Sequence, residues 1–197
     1  MKKGVLAVVI VAALAAIVLI WGVKSYNTLV SKDEHVSQAW AQVENVYQRR
    51  ADLIPNLVAT VKGYAAHESS TLEAVVAARA RATQATVDPA GLSSEDIAEF
   101  QTAQNELGNA IGRLLVSVER YPDLKANQNF LDLQAQLEGT ENRIAVERRN
   151  FNQAARDYNT YVRRFPANIV AGMFGFGPKG YFTADEGAET APVVSFE

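Results

Sequence analysis

Residues Gly4 to Val23 read GVLAVVIVAALAAIVLIWGV, twenty consecutive positions without a charge. A helix rises about 1.5 Å per residue, so this stretch spans roughly 30 Å, the thickness of a bilayer's hydrocarbon core. Trp21 stands near one end, where an amphipathic ring suits the membrane interface. The rival reading is a cleaved signal peptide, because Ala13-Leu14-Ala15 imitates a small-residue cleavage site. The apolar run continues for eight residues past that point. Signal-peptide cores are usually about 7–15 residues long, so the sequence favours an uncleaved anchor that meets the lipid bilayer through residues 4–23.

Lys2 and Lys3 precede the span, and Lys24 and Lys32 follow it. The positive-inside rule then leans toward a cytoplasmic N-terminus and an extracytoplasmic body. The chain has no cysteine, so disulfides are absent in either compartment. There are 19 basic and 22 acidic residues. Setting aside Lys2, Lys3 and Lys24 leaves 16 basic against 22 acidic, a net of −6 for the remainder. That balance argues against nucleic acid as a partner, since nucleic acid needs a basic face. It argues equally against binding anionic lipid by charge alone.

Four segments beyond the apolar run carry helical periodicity. Val36, Trp40, Val43, Tyr47, Ile54, Leu57, Val61 and Tyr64 recur at steps that define one face. Pro55 interrupts that face chemically but not in register. One long helix to about Ala66, bent near Asp52 to Pro55, competes with a new helix that has Asp52 as its cap and Pro55 in its first turn. Ser70 and Glu73 have capping-box spacing ahead of a helix expected from Thr71 to about Val87. Asp88-Pro89-Ala90-Gly91 reads as a turn, and Ser93 or Ser94 as the cap of a third helix. That helix alternates by three and four through Ile97, Phe100, Gln104, Leu107, Ile111, Leu114, Val118 and Tyr121. A fourth, from Pro122 to Phe165, does the same through Phe130, Leu133, Leu137, Thr140, Ile144, Glu147, Phe151, Ala154, Tyr158, Tyr161 and Phe165. Such heptads make a coiled-coil-like seam, and short turns make neighbouring helices antiparallel. The fold class expected is all-α: an N-terminal transmembrane helix followed by an elongated, antiparallel, up-and-down four-helix bundle with long first and fourth helices. The expected domains are an anchor over 1–25, a bundle over 26–166, and an apolar, glycine-rich, membrane-proximal segment and tail over 167–197.

Groups that could carry chemistry are sparse. Di-iron bundles need Glu-x-x-His on facing helices, and no such spacing occurs. His35 and His67 lie about 48 Å apart along the first helix and cannot share a metal. No Gly-x-Ser-x-Gly elbow and no phosphate-cradling glycine loop is present. No catalytic, cofactor-binding or metal-ligating residue is therefore expected, and no cofactor. Polar heptad positions are more informative. Antiparallel pairing sets Arg50 near Glu141, and Glu147 near Glu44 and Gln48. A buried polar layer of that kind fixes register between long helices. Gly108-x-x-x-Gly112 is expected to let a neighbouring helix approach closely. Met173-Phe174-Gly175-Phe176 and Tyr181-Phe182 have three readings: packing on the bundle, resting in the interface, or touching a neighbouring subunit.

One run is longer than these local signals. Arg49-Arg50-Ala51-Asp52-Leu53-Ile54-Pro55-Asn56-Leu57-Val58, followed by Val61-Lys62-Gly63-Tyr64-Ala65 and His67-Glu68, closely resembles the central motif of the LemA family. Ala39-Trp40, Tyr158-Asn159, Arg164-Phe165-Pro166 and Tyr181-Phe182 fit it too. The resemblance implies a bacterial membrane protein with one N-terminal spanning helix and a helical domain, and it implies no chemistry. The sequence thus points to a non-enzymatic, single-pass scaffold or adaptor in the bacterial inner membrane, self-associating as a homo-oligomer and engaging other membrane proteins. The competing reading is a membrane-anchored sensor or binding module that takes a small ligand or peptide between its helices.

Overall fold

The computed structural model describes residues 2–65, 67–89 and 91–184. Its first element, α1 (Lys2–Tyr64), runs for 63 residues, so the apolar run and the first amphipathic face belong to one helix. Pro55 lies inside it. Proline lacks the N–H that would bond the carbonyl four residues back, here that of Ala51. Arg79 supplies the missing donor from a second helix, its Nε reaching the Ala51 oxygen at 2.8 Å. Pro55 is exposed while Leu53, Ile54 and Leu57 are buried, so the seam continues past the proline. A separate helix starting at Asp52 is ruled out.

Helix α2 (Ser69–Gln84) begins earlier than Thr71, and the expected Ser70 box is not its cap. Glu68 occupies the cap position without a side-chain bond to the first turn. Its carboxylate is drawn away by Arg120 at 2.6 Å and the Tyr121 hydroxyl at 2.9 Å. The helix stops at Gln84, and Val87 turns into the core. The turn at Asp88 closes with the Gly91 amide donating to the Asp88 carbonyl at 3.0 Å. Helix α3 (Ser94–Val118) is capped by Ser93 through a reciprocal pair with Asp96. Its seam positions from Ile97 to Val118 are all buried.

The single fourth helix expected from Pro122 to Phe165 is two: α4 (Pro122–Lys125) and α5 (Gln128–Arg163). Asn127 causes the break, because its side chain accepts the Phe130 amide at 3.1 Å and so starts a new helix. The α5 seam is buried from Phe130 to Tyr158 apart from Glu147, which is half-buried. It then shifts. Val162 is buried in place of the expected Tyr161, and Phe165 is 76% exposed. Helix α6 (Ala167–Phe174) follows, and Gly175 ends it at a φ of 77°, a left-handed value that glycine adopts without a Cβ penalty.

The described residues thus contain six helices and no strand, where the sequence reading counts four bundle helices. Helix α5 packs along α1, α3 along α2, and α2 against α1. The α1–α5 pair is antiparallel: Ser25 meets Tyr161 at 3.2 Å at one end, and Arg50 meets Glu141 at 3.0 Å further along. Buried side chains form two clusters. One, near the span, gathers around Trp40, Phe100, Phe151 and Tyr158. The other, distal, gathers around Leu57, Val75, Leu107 and Phe130. The apolar side chains from Val5 to Ile20 are exposed throughout, with no protein packed on them.

Candidate functional site

Register places Arg50 one turn after Tyr47 and just before Leu53, between the two clusters, where it is 4% exposed. Its Nη1 donates to Glu141 at 3.0 Å. Its Nη2 donates to both the carbonyl and the side-chain oxygen of Gln104, at 2.9 and 2.8 Å. The Gln104 amide in turn donates to the Ala82 carbonyl near the end of α2 at 3.0 Å. One guanidinium therefore ties α1 to α3 and α5, and through Gln104 to α2. The Arg50–Glu141 pair is the one that antiparallel register anticipates. Donors shared between partners on α3 and α5 suit it to holding the helices in register. Glu147 accepts a bond from Asn150 on its own helix, and Gln48 donates to Asp52 on α1.

Beside this layer, α3 and α5 diverge around a cleft of about 920 Å³. Arg50 lies at its floor, and Gln104, Gly108, Gly112, Leu137 and Glu141 help to line it. A Cβ built on Gly108 would meet only the Arg50 Nη1, at 3.8 Å, and one on Gly112 would meet nothing within 4 Å. Contrary to the expectation from their spacing, these glycines do not admit a close neighbouring helix. They deepen the cleft.

Thr183 and Ala184 line the same cleft, and the chain arrives there along a built track. Phe182 is inserted among Trp40, Phe100 and Phe151, stacking on Trp40 with centroids 5.9 Å apart and planes 13° apart. Three side-chain amides each hold the backbone at two points. Asn159 donates to the Lys179 carbonyl at 2.7 Å and accepts the Lys179 amide at 2.8 Å. Asn152 does the same for Phe182, both at 2.9 Å. Gln101 does so for Thr183, at 3.0 and 3.3 Å. Gly180 passes so close to α3 that an added Cβ would sit 2.7 Å from the Ser94 Cα. Lys179 is buried and pairs with Asp33 at 3.0 Å. Burial, then the charge of Asp33, pushes the nearby Tyr158 hydroxyl up to about 12.

The Met173–Phe182 region thus divides. Phe182 packs in the core, whereas Met173 is 74% exposed and Phe174 and Ile169 are exposed beside it. Phe174 and Phe176 stand edge-on to Tyr26, centroids 4.8 and 5.8 Å away, close to where α1 leaves its apolar run. His35 and His67 are both exposed. Among the described residues no group of three or more histidines, aspartates or glutamates comes together to hold a metal.

The sequence profile of the LemA family matches residues 39–196. The chain belongs to the LemA family. Magnetosome proteins MamQ 2 and MamQ 1 of Paramagnetospirillum magneticum are each 28% identical to it over 187 residues, covering 86% of this chain and 68% of theirs. Protein LemA of Metamycoplasma hominis is 25% identical over 164 residues, covering 81% of this chain and 69% of its own. Family membership and the long apolar helix fit a membrane-associated helical protein of bacteria. The LemA-family match covers the Arg50 layer, the cleft and the bracketed track alike.

Proposed function

We propose that this LemA-family chain is a single-pass, membrane-anchored scaffold that associates with copies of itself and so organises a patch of membrane. Residues 1–25 act as the anchor, 26–166 as an elongated four-helix body built on α1, α2, α3 and α5, and 167–197 as the membrane-proximal segment and tail. The body lies outside the cytoplasm, with Lys2 and Lys3 on the inner side.

One observation carries the reading. Phe165, Ile169 and Met173 recur every four residues along α6 and its approach, and all three are exposed. This apolar stripe sits at the end of the body nearest the anchor, as the Tyr26–Phe174 contact places it. An exposed apolar stripe in that position suits association within the membrane plane. Because α1 is continuous, such an association orients the whole body relative to the bilayer.

The chain has no cysteine, so Met173→Cys introduces a single thiol. Mild oxidation of membranes containing the full-length variant is expected to yield a reducible dimer. The same thiol placed at Ala59, on an exposed face of α1 far from the stripe, is expected to yield none. Monomer only at Met173, or equal dimer at both positions, overturns the reading.

A further inference from the structure

Reading polypeptide backbone requires donors and acceptors fixed in pairs at the spacing of an extended chain. Asn159, Asn152 and Gln101 provide three such pairs on opposite walls, α5 and α3, and they hold residues 179–183. The cleft does not stop where this held segment stops. It continues past Ala184 between the same two helices. Along α3, Gln101, Asn105 and Asn109 follow one another at four-residue steps, so their side-chain amides share one face of the helix, and all three line the cleft.

From these observations we propose that the open part of the cleft is a main-chain-reading peptide site, and that its occupant is residues 185–197 of the same chain. Direction supports this, because Thr183 and Ala184 enter the cleft from its end nearest the anchor. Length supports it too. Gln101 to Leu115 is about 21 Å along α3, and thirteen extended residues reach up to about 43 Å. Arg148 also fixes the chain at the entrance, holding the Thr183 carbonyl at 3.2 Å two residues before Asp185. The apolar run Val193-Val194-Ser195-Phe196 lies within reach of a small distal pocket lined by Leu115, Val118, Phe130 and Leu131. This inference stands on the cleft and the brackets, and not on self-association.

The absence of cysteine makes the test clean. Asn109 lies about 12 Å beyond Gln101 along α3, which extended chain covers in about four residues after Thr183, placing Gly187 and its neighbour Ala188 beside it. The full-length double variant Asn109→Cys/Ala188→Cys is oxidised in membranes, beside Ala59→Cys/Ala188→Cys as a control on the outside of α1. Asn109 and Ala59 are exposed, so neither replacement disturbs the core. The expected result is an intrachain disulfide for the Asn109 pair, at monomer mass and at least ten-fold more abundant than for the Ala59 pair. A disulfide at dimer mass would assign the cleft to the tail of a second copy and overturn the proposal. Equal yields from both pairs, or none, would mean that the segment does not reside in the cleft, and would overturn it as well.

Discussion

Replacing Arg79 by methionine keeps the aliphatic stem and removes the one donor that serves the Ala51 carbonyl. That carbonyl lost its helical partner to Pro55, and Arg79 reaches it at 2.8 Å. A hydrogen bond from a charged donor contributes about 1.5–3 kcal/mol, and a stranded carbonyl carries its desolvation cost in full. Arg79→Met is therefore expected to destabilise the body by about 2 kcal/mol. With an m-value of about 2 kcal/mol per molar urea, the midpoint falls by about 1 M. The decisive comparison is the same substitution in a Pro55→Ala background. Alanine restores the N–H four residues on, so the carbonyl no longer needs Arg79. There the cost should drop below about 0.5 kcal/mol, leaving a coupling of about 1.5 kcal/mol between two residues on different helices. The assay is urea unfolding of the full-length chain in nonionic micelles, followed by the fluorescence of buried Trp40. Equal costs in both backgrounds would refute the reasoning, and with it the account of how α1 passes through its proline.

Other consequences follow from the same geometry. Gln104→Leu leaves the Arg50 Nη2 its bond to the backbone carbonyl of residue 104 but strands the Ala82 carbonyl, and should cost about 2 kcal/mol by the same assay, whereas Glu141→Gln should cost less than about 1 kcal/mol because Glu141 is 63% exposed. Gly180→Ala would set a Cβ 2.7 Å from the Ser94 Cα, so amide exchange over residues 179–183 should speed up at least ten-fold while that of α2 is unchanged. Tyr158 has a raised pKa, so its contribution to stability is complete below about pH 10 and is lost as pH climbs toward about 12. Tyr158→Phe should remove one late-titrating group from the tyrosinate absorbance near 295 nm and flatten the loss of stability over that range.

Much of the helical frame is readable from spacing alone. The α3 heptad is buried at every position from Ile97 to Val118, Ser93 caps that helix, and register alone sets Arg50 against Glu141. Failures occur where a single polar side chain overrides periodicity. Asn127 captures the Phe130 amide and divides the fourth helix, and Glu68 leaves its cap for Arg120 and Tyr121. Phe165 continues the heptad in sequence yet stands exposed, because α5 ends at Arg163. Packing of Tyr181-Phe182 on the bundle is one of three readings open in the sequence, but the side-chain amides that bracket the track are not legible there. Gln101, Asn152 and Asn159 look like ordinary polar positions on amphipathic helices, and their partners lie 20 to 82 residues away. Arg79 is hidden for the same reason: its partner is a carbonyl orphaned by a proline on another helix.

Assembly through the stripe beside the anchor would show itself in the mass of full-length particles. The chain is extracted with surrounding lipid into native membrane discs and weighed beside the Ile169→Glu/Met173→Glu variant, both of whose sites are exposed. A defined multi-copy particle is expected for the native chain and a single copy for the variant. A single copy in both, or the same assembly in both, would contradict it.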